Sequence, residues 1–240
     1  STPKPSSAAS DVYKRQIVAK AAGLSKCRRQ FLSHMLILFL SIRHRINFTQ
    51  LARHSEAYCE RSMRLNFDHF TDFASINQGL VEQHGSGHFI LAFDPTYLPK
   101  SGKRTPGLGK YWSGMAQKAL WGLEVSLLSV VDVDKRTAWH LDACQTPGPA
   151  EREAKDIGLV DHYAQTILWQ GQRCQQLSGY LAADAYFAKV SFIDRICDST
   201  DLHIVSRLRK DASLRYLYDG PRTGRRGRPR EYAGKVDWAR

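Results

Sequence analysis

Gly85-Ser-Gly-His-Phe-Ile-Leu-Ala-Phe-Asp94-Pro-Thr-Tyr-Leu-Pro-Lys100 is the stretch where the chain changes its apolar period. A short apolar run bounded by glycines on one side and by Pro95 on the other predicts a buried strand, ending here at Asp94. Upstream the spacing is helical: Phe31, Met35, Leu38 with Phe39, and Ile42 fall on one face. Residues 17–84 therefore form an all-helical region. Within it, Asn47 to Arg53 followed by Ser55 to Phe67 has the layout of a helix-turn-helix, or of an ordinary helical hairpin. Arg53, Arg61 and Arg64 either face phosphates or are solvated surface.

Downstream, Leu123, Val125 and Leu127 alternate with Glu124 and Ser126, run on through Val130 and Val131, turn at Asp132 to Arg136 and resume at Thr137 to Ala143. That pattern predicts a long hairpin. Asp132 and Asp134 sit in its turn, where aspartate serves local hydrogen bonding. Pro149 and the early acids Glu151 and Glu153 open a helix whose inner face runs through Ala154, Ile157, Val160, Ala164, Ile167 and Leu168. Gly179-Tyr-Leu-Ala-Ala-Asp184 is a second strand that stops on an aspartate. A helix over 185–197 and an apolar run, Leu202 to Val205, complete residues 85–206. The order is strand, two hairpin strands, helix, strand, helix, strand, an α+β or α/β arrangement of a mixed sheet with flanking helices.

Composition narrows the function. The 240 residues are 42% hydrophobic, ample for a core, which excludes wholesale disorder. Thirty-five Lys plus Arg against 23 Asp plus Glu give a net charge of +12, so a polyanionic partner is expected. Residues 207–240 alone hold eleven basic residues against four acids and form a basic segment without a core of its own. The five cysteines are scattered, with no C-x-x-C pair, and read as reduced core thiols. His84 and His88 have a ligand-like interval but lie across glycines, so no zinc site is expected. The most apolar stretch, Phe31 to Ile42, contains His34 and is shorter than the roughly 20 residues of a membrane span. A cytoplasmic setting is the expectation. Residues 1–16 are rich in Ser and Pro and read as a tail, and Ser6 to Gln16 looks like translated adapter sequence, so the true N-terminus is expected to be missing.

Two carboxylates at the ends of apolar strands, 90 residues apart, suit a shared metal site on a rigid rim. Hard ions such as Mg²⁺ take oxygen ligands, commonly one or two carboxylates plus substrate phosphate, and a pair of ions supports in-line phosphodiester displacement. Asp184 could instead simply cap the following helix. Lys100, Lys103, Arg104 and Lys110 follow Asp94 in a Gly- and Pro-rich loop, either as mobile cations beside the site or as a solubilising loop. Arg225, Arg226 and Arg228 lie in an Arg-Gly-Arg-Pro context that suits a narrow minor groove or plain phosphate contact.

Phe93 to Thr105, the Trp121-Gly-Leu hairpin and Gly179 to Phe187 resemble bacterial insertion-sequence transposases of the DDE type, over about Phe48 to Trp238. The resemblance implies a ribonuclease-H-like core in which Asp94 and Asp184 are catalytic and hold two Mg²⁺ or Mn²⁺ ions. It also implies cleavage at transposon ends, strand transfer into target DNA, a homo-oligomer on double-stranded DNA and a nucleoid-associated location. Such a family carries a third acid in the pattern Tyr-x2-Arg-x3-Glu-x6-Lys. That pattern is absent: Tyr58 and Arg61 are followed by Leu65, Tyr232 is followed by Lys235, and Glu231 lies in the arginine-rich segment. The chain is therefore expected to stop inside an inserted segment and to be inactive by itself. A non-catalytic DNA-binding remnant and a ribonuclease-H-like nuclease are the alternative readings.

Overall fold

A computed structural model describes residues 23–102, 104–209, 212–221 and 227–236. Among them no helix is long and apolar enough to cross a membrane.

Among the described residues three helices come first: α1 (Lys26–Ser41), α2 (Phe48–Arg53) and α3 (Glu60–Phe67). Ser25 and Asn47 begin the first two by accepting hydrogen bonds from Arg28 N and Gln50 N, satisfying donors that a helix start leaves open. Their apolar faces meet in a small core of Phe31, Leu32, Met35, Leu38, Leu51 and Met63. The Arg28 guanidinium ties this unit to the chain that follows, donating to His69 O at 2.8 Å and Thr71 Oγ1 at 2.7 Å. Arg64 is committed to the fold, bridging Glu60 at 2.6 Å and lying 4.5 Å over the Phe48 ring, while Arg53 and Arg61 stay exposed.

Helix α4 (Phe73–His84) leads into the sheet, where its Val81 joins the main core. The sheet has six strands: β1 (Phe89–Pro99), β2 (Gly109–Ser113), β3 (Lys118–Asp132), β4 (Thr137–Gln145), β5 (Tyr180–Ala183) and β6 (His203–Ser206). β3 is its spine. One edge of β3 pairs antiparallel with β1 throughout, and the other pairs first with β2 and then with β4. β1, β5 and β6 are parallel neighbours. Between β4 and β5 lie α5 (Pro149–Ala154), α6 (Leu159–Leu168) and α7 (Gly171–Leu177). A 3-10 turn (Ala185–Phe187) and α8 (Val190–Cys197) connect β5 to β6. The result is a mixed sheet flanked by helices, consistent with a ribonuclease-H-like core.

The two faces of this sheet differ. One carries Phe89, Leu91, Phe93, Leu128, Val130 and Leu181, which pack against Val81, Tyr163, Ala164, Ile167, Leu177, Phe192 and Ile196 of the helices. Alternation places Ile90, Ala92, Val125, Leu127, Val131, Ala182 and Val205 on the other face. None of these belongs to the core, and Val205 is 56% exposed.

Several expectations are corrected. Strand β1 does not end at Asp94 but runs on to Pro99, because its pairing with β3 persists after its pairing with β5 stops at Phe93. Lys110 lies in strand β2, not in a loop. On β3 the inward set is Glu124, Ser126, Leu128 and Val130, while Leu123, Val125 and Leu127 are only half-buried. The helix read from Pro149 is broken between α5 and α6, where Asp156 takes φ 51° and Gly158 precedes the second segment. The helix read over 185–197 is likewise divided into the 3-10 turn and α8. All five thiols are free, but only Cys174 is buried, and Cys27, Cys59 and Cys197 are exposed. Two short exposed strands, β7 (Arg215–Leu217) and β8 (Tyr232–Lys235), pair with each other within the basic segment.

Candidate active site

Asp94 and Asp184 are brought together by strand register. Phe93 on β1 pairs with Ala183, the last residue of β5; Asp94 is the next residue of β1, and Asp184 follows the end of β5 with its backbone still extended. Neighbouring strands lie about 4.8 Å apart. Phe93 and Ala183 pack toward the helices, so alternation turns both aspartates to the open face.

Asp94 is electrostatically perturbed. Partial burial raises the pKa of Asp94 first of all, and the charges of Asp184 and then Glu124 raise it further. Like charges close together resist simultaneous ionisation, and a cation bound between them removes that resistance.

The chain around Asp184 is tightly held. Its backbone is extended, with φ −71° and ψ 174°, and its Oδ1 accepts from Tyr186 N at 2.8 Å. The capping role open to Asp184 is thus real, and it occupies one of the two carboxylate oxygens. Ser206 Oγ donates to Asp184 O at 2.8 Å from the end of β6. Phe187, 1% exposed, anchors the turn against Phe93, Tyr163 and Phe192, with ring centroids 5.4, 5.5 and 4.9 Å away. Lys189 Nζ sits 3.7 Å over the Tyr186 ring, holding a cation beside the site.

Glu124 is the carboxylate that the sequence reading passed over. It is 6% exposed and lies on the covered face. Its Oε1 accepts from Tyr163 OH at 2.6 Å and from Thr146 Oγ1 at 2.9 Å. Burial, followed by this hydrogen bond, pushes the Tyr163 hydroxyl far above its ordinary pKa, so Tyr163 stays a donor. Glu124 therefore supports the site from beneath and does not share a face with the aspartates. Its one signal in the sequence was an acid within an apolar strand.

The other acids take structural places. Asp132 is fully buried and accepts from Ser86 N, Ser86 Oγ and Lys135 N at 2.7–2.9 Å, closing the β3–β4 turn. Asp134 meets His88, and Asp142 accepts from Gln170 Nε2 at 2.7 Å. Among the described residues no group of three or more His, Cys, Asp or Glu side chains forms a cation site.

The expected DNA contacts divide. Arg104 and Lys110 are exposed and Lys100 is half-buried, all within or beside the β1–β2 connection. That connection is tethered where a mobile loop was expected: Gln145 Nε2 donates to Pro106 O at 2.8 Å, and Tyr111 OH donates to Gly107 O at 2.9 Å. Gly107 has φ 80°, and a Cβ there would lie 2.1 Å from Gln145 Nε2, so only glycine fits. Arg228 is exposed but pairs with Glu231 at 2.6 Å. Lys103, Arg225 and Arg226 lie outside the described residues.

With this geometry in place, comparison with known families is decisive: the model describing DDE superfamily endonucleases matches residues 74–239. The chain belongs to that family. No curated protein matches it. The match begins at α4 and takes in the whole sheet, so both aspartates and Glu124 lie inside it. Enzymes of this family are nucleases that act on DNA and generally use divalent metals. The donor set of this DDE endonuclease fits such an ion, because Asp94 and Asp184 offer hard oxygen ligands to a cation that commonly takes one or two carboxylates and completes its shell with water and phosphate.

Proposed function

We propose that this DDE endonuclease is a transposase of the insertion-sequence type, which cuts DNA at transposon ends and joins the released 3′-hydroxyl to target DNA. The observation that carries this reading is the placement of Asp94 and Asp184 one residue beyond paired positions of adjacent parallel strands, on the open face, with the pKa of Asp94 raised by partial burial and then by the charges of Asp184 and Glu124. Asp94 and Asp184 would hold Mg²⁺ or Mn²⁺, two ions in a complete site. When bound, the metal supplies charge stabilisation and activation of the attacking oxygen.

The chain's own residues position and bind. Asp94 must be ionised to serve, and a bound cation would favour that charged form against the burial and neighbouring charges that raise its pKa. The cap at Tyr186 N and the bond from Ser206 Oγ fix Asp184. Lys100, Lys103, Arg104 and Lys110 contact phosphates next to the cleaved bond, and Arg225, Arg226 and Arg228 contact them further along. Residues 17–84 supply a DNA-binding region and residues 85–206 the catalytic core, with 207–240 as a basic insertion. A homo-oligomer would hold paired DNA ends, in the bacterial cytoplasm at the nucleoid.

No third carboxylate accompanies the pair among the described residues. Loss of ligand alignment by as little as ~1 Å costs on the order of 100-fold in rate. The 240 residues by themselves are accordingly expected to bind Mn²⁺ and DNA but to leave supercoiled plasmid uncut. Gel-based nicking assays test this, alongside DNA binding measured from 50 to 200 mM salt. Steeply salt-dependent binding supports the phosphate contacts, with a slope near one counterion per contact. Salt-independent binding would contradict them, and metal-dependent nicking abolished by Asp94→Ala would show that two carboxylates suffice.

A further inference from the structure

The open face continues beyond the aspartates onto a projecting ribbon made of the outer half of β1, β2 and the start of β3. Alternation sets Asp94, Thr96 and Leu98 on this face of β1 and Leu127, Val125, Leu123 and Trp121 on this face of β3. Lys110 lies directly opposite Trp121 on β2, and Trp112 follows two residues later opposite Ala119. Both indoles are largely exposed, Trp112 at 60% and Trp121 at 55%, and Leu98 beside them is 43% exposed. Large aromatic side chains left in water at the end of a catalytic face call for a ligand.

The ribbon is tied across its strands. Tyr97 OH donates to Trp121 O at 2.8 Å. A Cβ at Gly122 would lie 2.5 Å from both Leu98 O and the Tyr97 ring, so the tyrosine fills the far side of the ribbon and Gly122 admits it. The indole of Trp121 is thereby presented on the face that Asp94 shares.

Charge identifies the ligand. The 29 residues between Asp94 and Glu124 contain Lys100, Lys103, Arg104, Lys110 and Lys118 and no acid at all. A second copy of the chain would bring the same five cations and be repelled. A blunt duplex offers phosphates to the lysines, but its bases are already stacked on one another. Unpaired bases on a phosphate backbone satisfy both features, since indoles stack on any base and cations track the backbone.

We propose that Trp112 and Trp121, with Lys110 between them, form a stacking platform for unpaired bases of the DNA end being processed. The proposal rests on the reading of this chain as acting on DNA ends. From Asp94 to the level of Trp121 is about six residues of strand, roughly 20 Å. A strand that keeps the stacked spacing of ~3.4 Å per nucleotide covers that distance with about six nucleotides, and a more extended one with fewer, so a single-stranded extension of that length reaches the platform.

The test uses the whole 240-residue chain and two synthetic DNAs, a blunt duplex and the same duplex carrying an eight-nucleotide single-stranded extension. Affinity is read by fluorescence anisotropy and stacking by quenching of tryptophan emission. The expected result is about tenfold tighter binding of the extended DNA, within the range for one stacked base, together with quenching. A Trp112→Ala/Trp121→Ala double variant should bind both DNAs with the blunt-duplex affinity and an unchanged salt slope, whereas Trp112→Phe/Trp121→Phe should keep part of the preference. Equal wild-type affinity for the two DNAs, or a preference that survives the double alanine variant, overturns the platform while leaving DNA binding intact. Failure to bind either DNA overturns the underlying reading. Sedimentation in which the alanine variant loses a wild-type dimer would reassign the indoles to a second copy and also overturn the proposal.

Discussion

The two faces of the central sheet are built from the same strands, yet they do different work. On the covered face Leu91, Leu128, Val130 and Leu181 are completely buried, and the one acid, Glu124, is held by Tyr163 and Thr146. On the open face Val125, Leu127 and Ala182 are half-buried and Val205 is exposed, and there both aspartates stand. Burial is concentrated on one side, and both aspartates stand on the other, outside the core. The comparison explains why two mutually repelling carboxylates are tolerated: partial solvation moderates their repulsion.

The sharpest way to break the comparison is to truncate matched leucines on adjacent positions of β3. Leu128→Ala should cost about 2–5 kcal/mol in urea unfolding, the range for emptying a fully buried leucine site. Leu127→Ala, one residue away on the open face, should cost about 1 kcal/mol or less. Equal losses would mean that the open face is packed in solution.

The next effect concerns the covered face alone. Tyr163→Phe removes one of the two donors on Glu124 Oε1 while keeping the aromatic ring, and should cost about 1–3 kcal/mol. Asp94→Asn, by contrast, should leave the thermal midpoint unchanged or slightly raised at neutral pH, because the folded state disfavours the Asp94 charge. A destabilised Asp94→Asn variant would mean that this carboxylate is structural.

A smaller, directional effect is the pH dependence of cation binding. The pKa of Asp94 is raised in the folded state, so the charged form that a cation needs is present above that raised value and lost as pH falls through it. Mn²⁺ affinity should therefore decline at higher pH than for an ordinary carboxylate. Asp184→Asn removes a like charge and should move the Asp94 midpoint, followed by carboxyl carbon NMR, to lower pH. A midpoint that stays put would place the two groups out of electrical contact.

Much of this was legible in the sequence, and the exceptions have physical reasons. The change of period at Gly85 and the apolar runs ending at Asp94 and Asp184 reveal the two strands and their acids, because buried parallel strands are continuous in hydrophobicity. β2 was hidden because Gly109 to Ser113 follows a Gly- and Pro-rich stretch and carries Lys110 and Trp112 on its exposed side. The alternation along β3 reveals a strand but not which of its faces turns inward. Glu124 and Ser126 are inward, and the partners that hold Glu124 lie 22 and 39 residues away, beyond the reach of local pattern. The register that sets Asp94 beside Asp184 is likewise a tertiary fact, since nothing in either run specifies which residue of the other it faces.

The central claim is that Asp94 and Asp184 jointly hold a divalent cation on the open face. Titration of Mn²⁺ followed by electron paramagnetic resonance, on the wild-type chain and on Asp94→Asn and Asp184→Asn with thermal unfolding confirming each fold, tests it directly. The account predicts one site whose affinity falls by about tenfold or more, ~1.4 kcal/mol, in either variant. Undiminished Mn²⁺ affinity in either folded variant would contradict it.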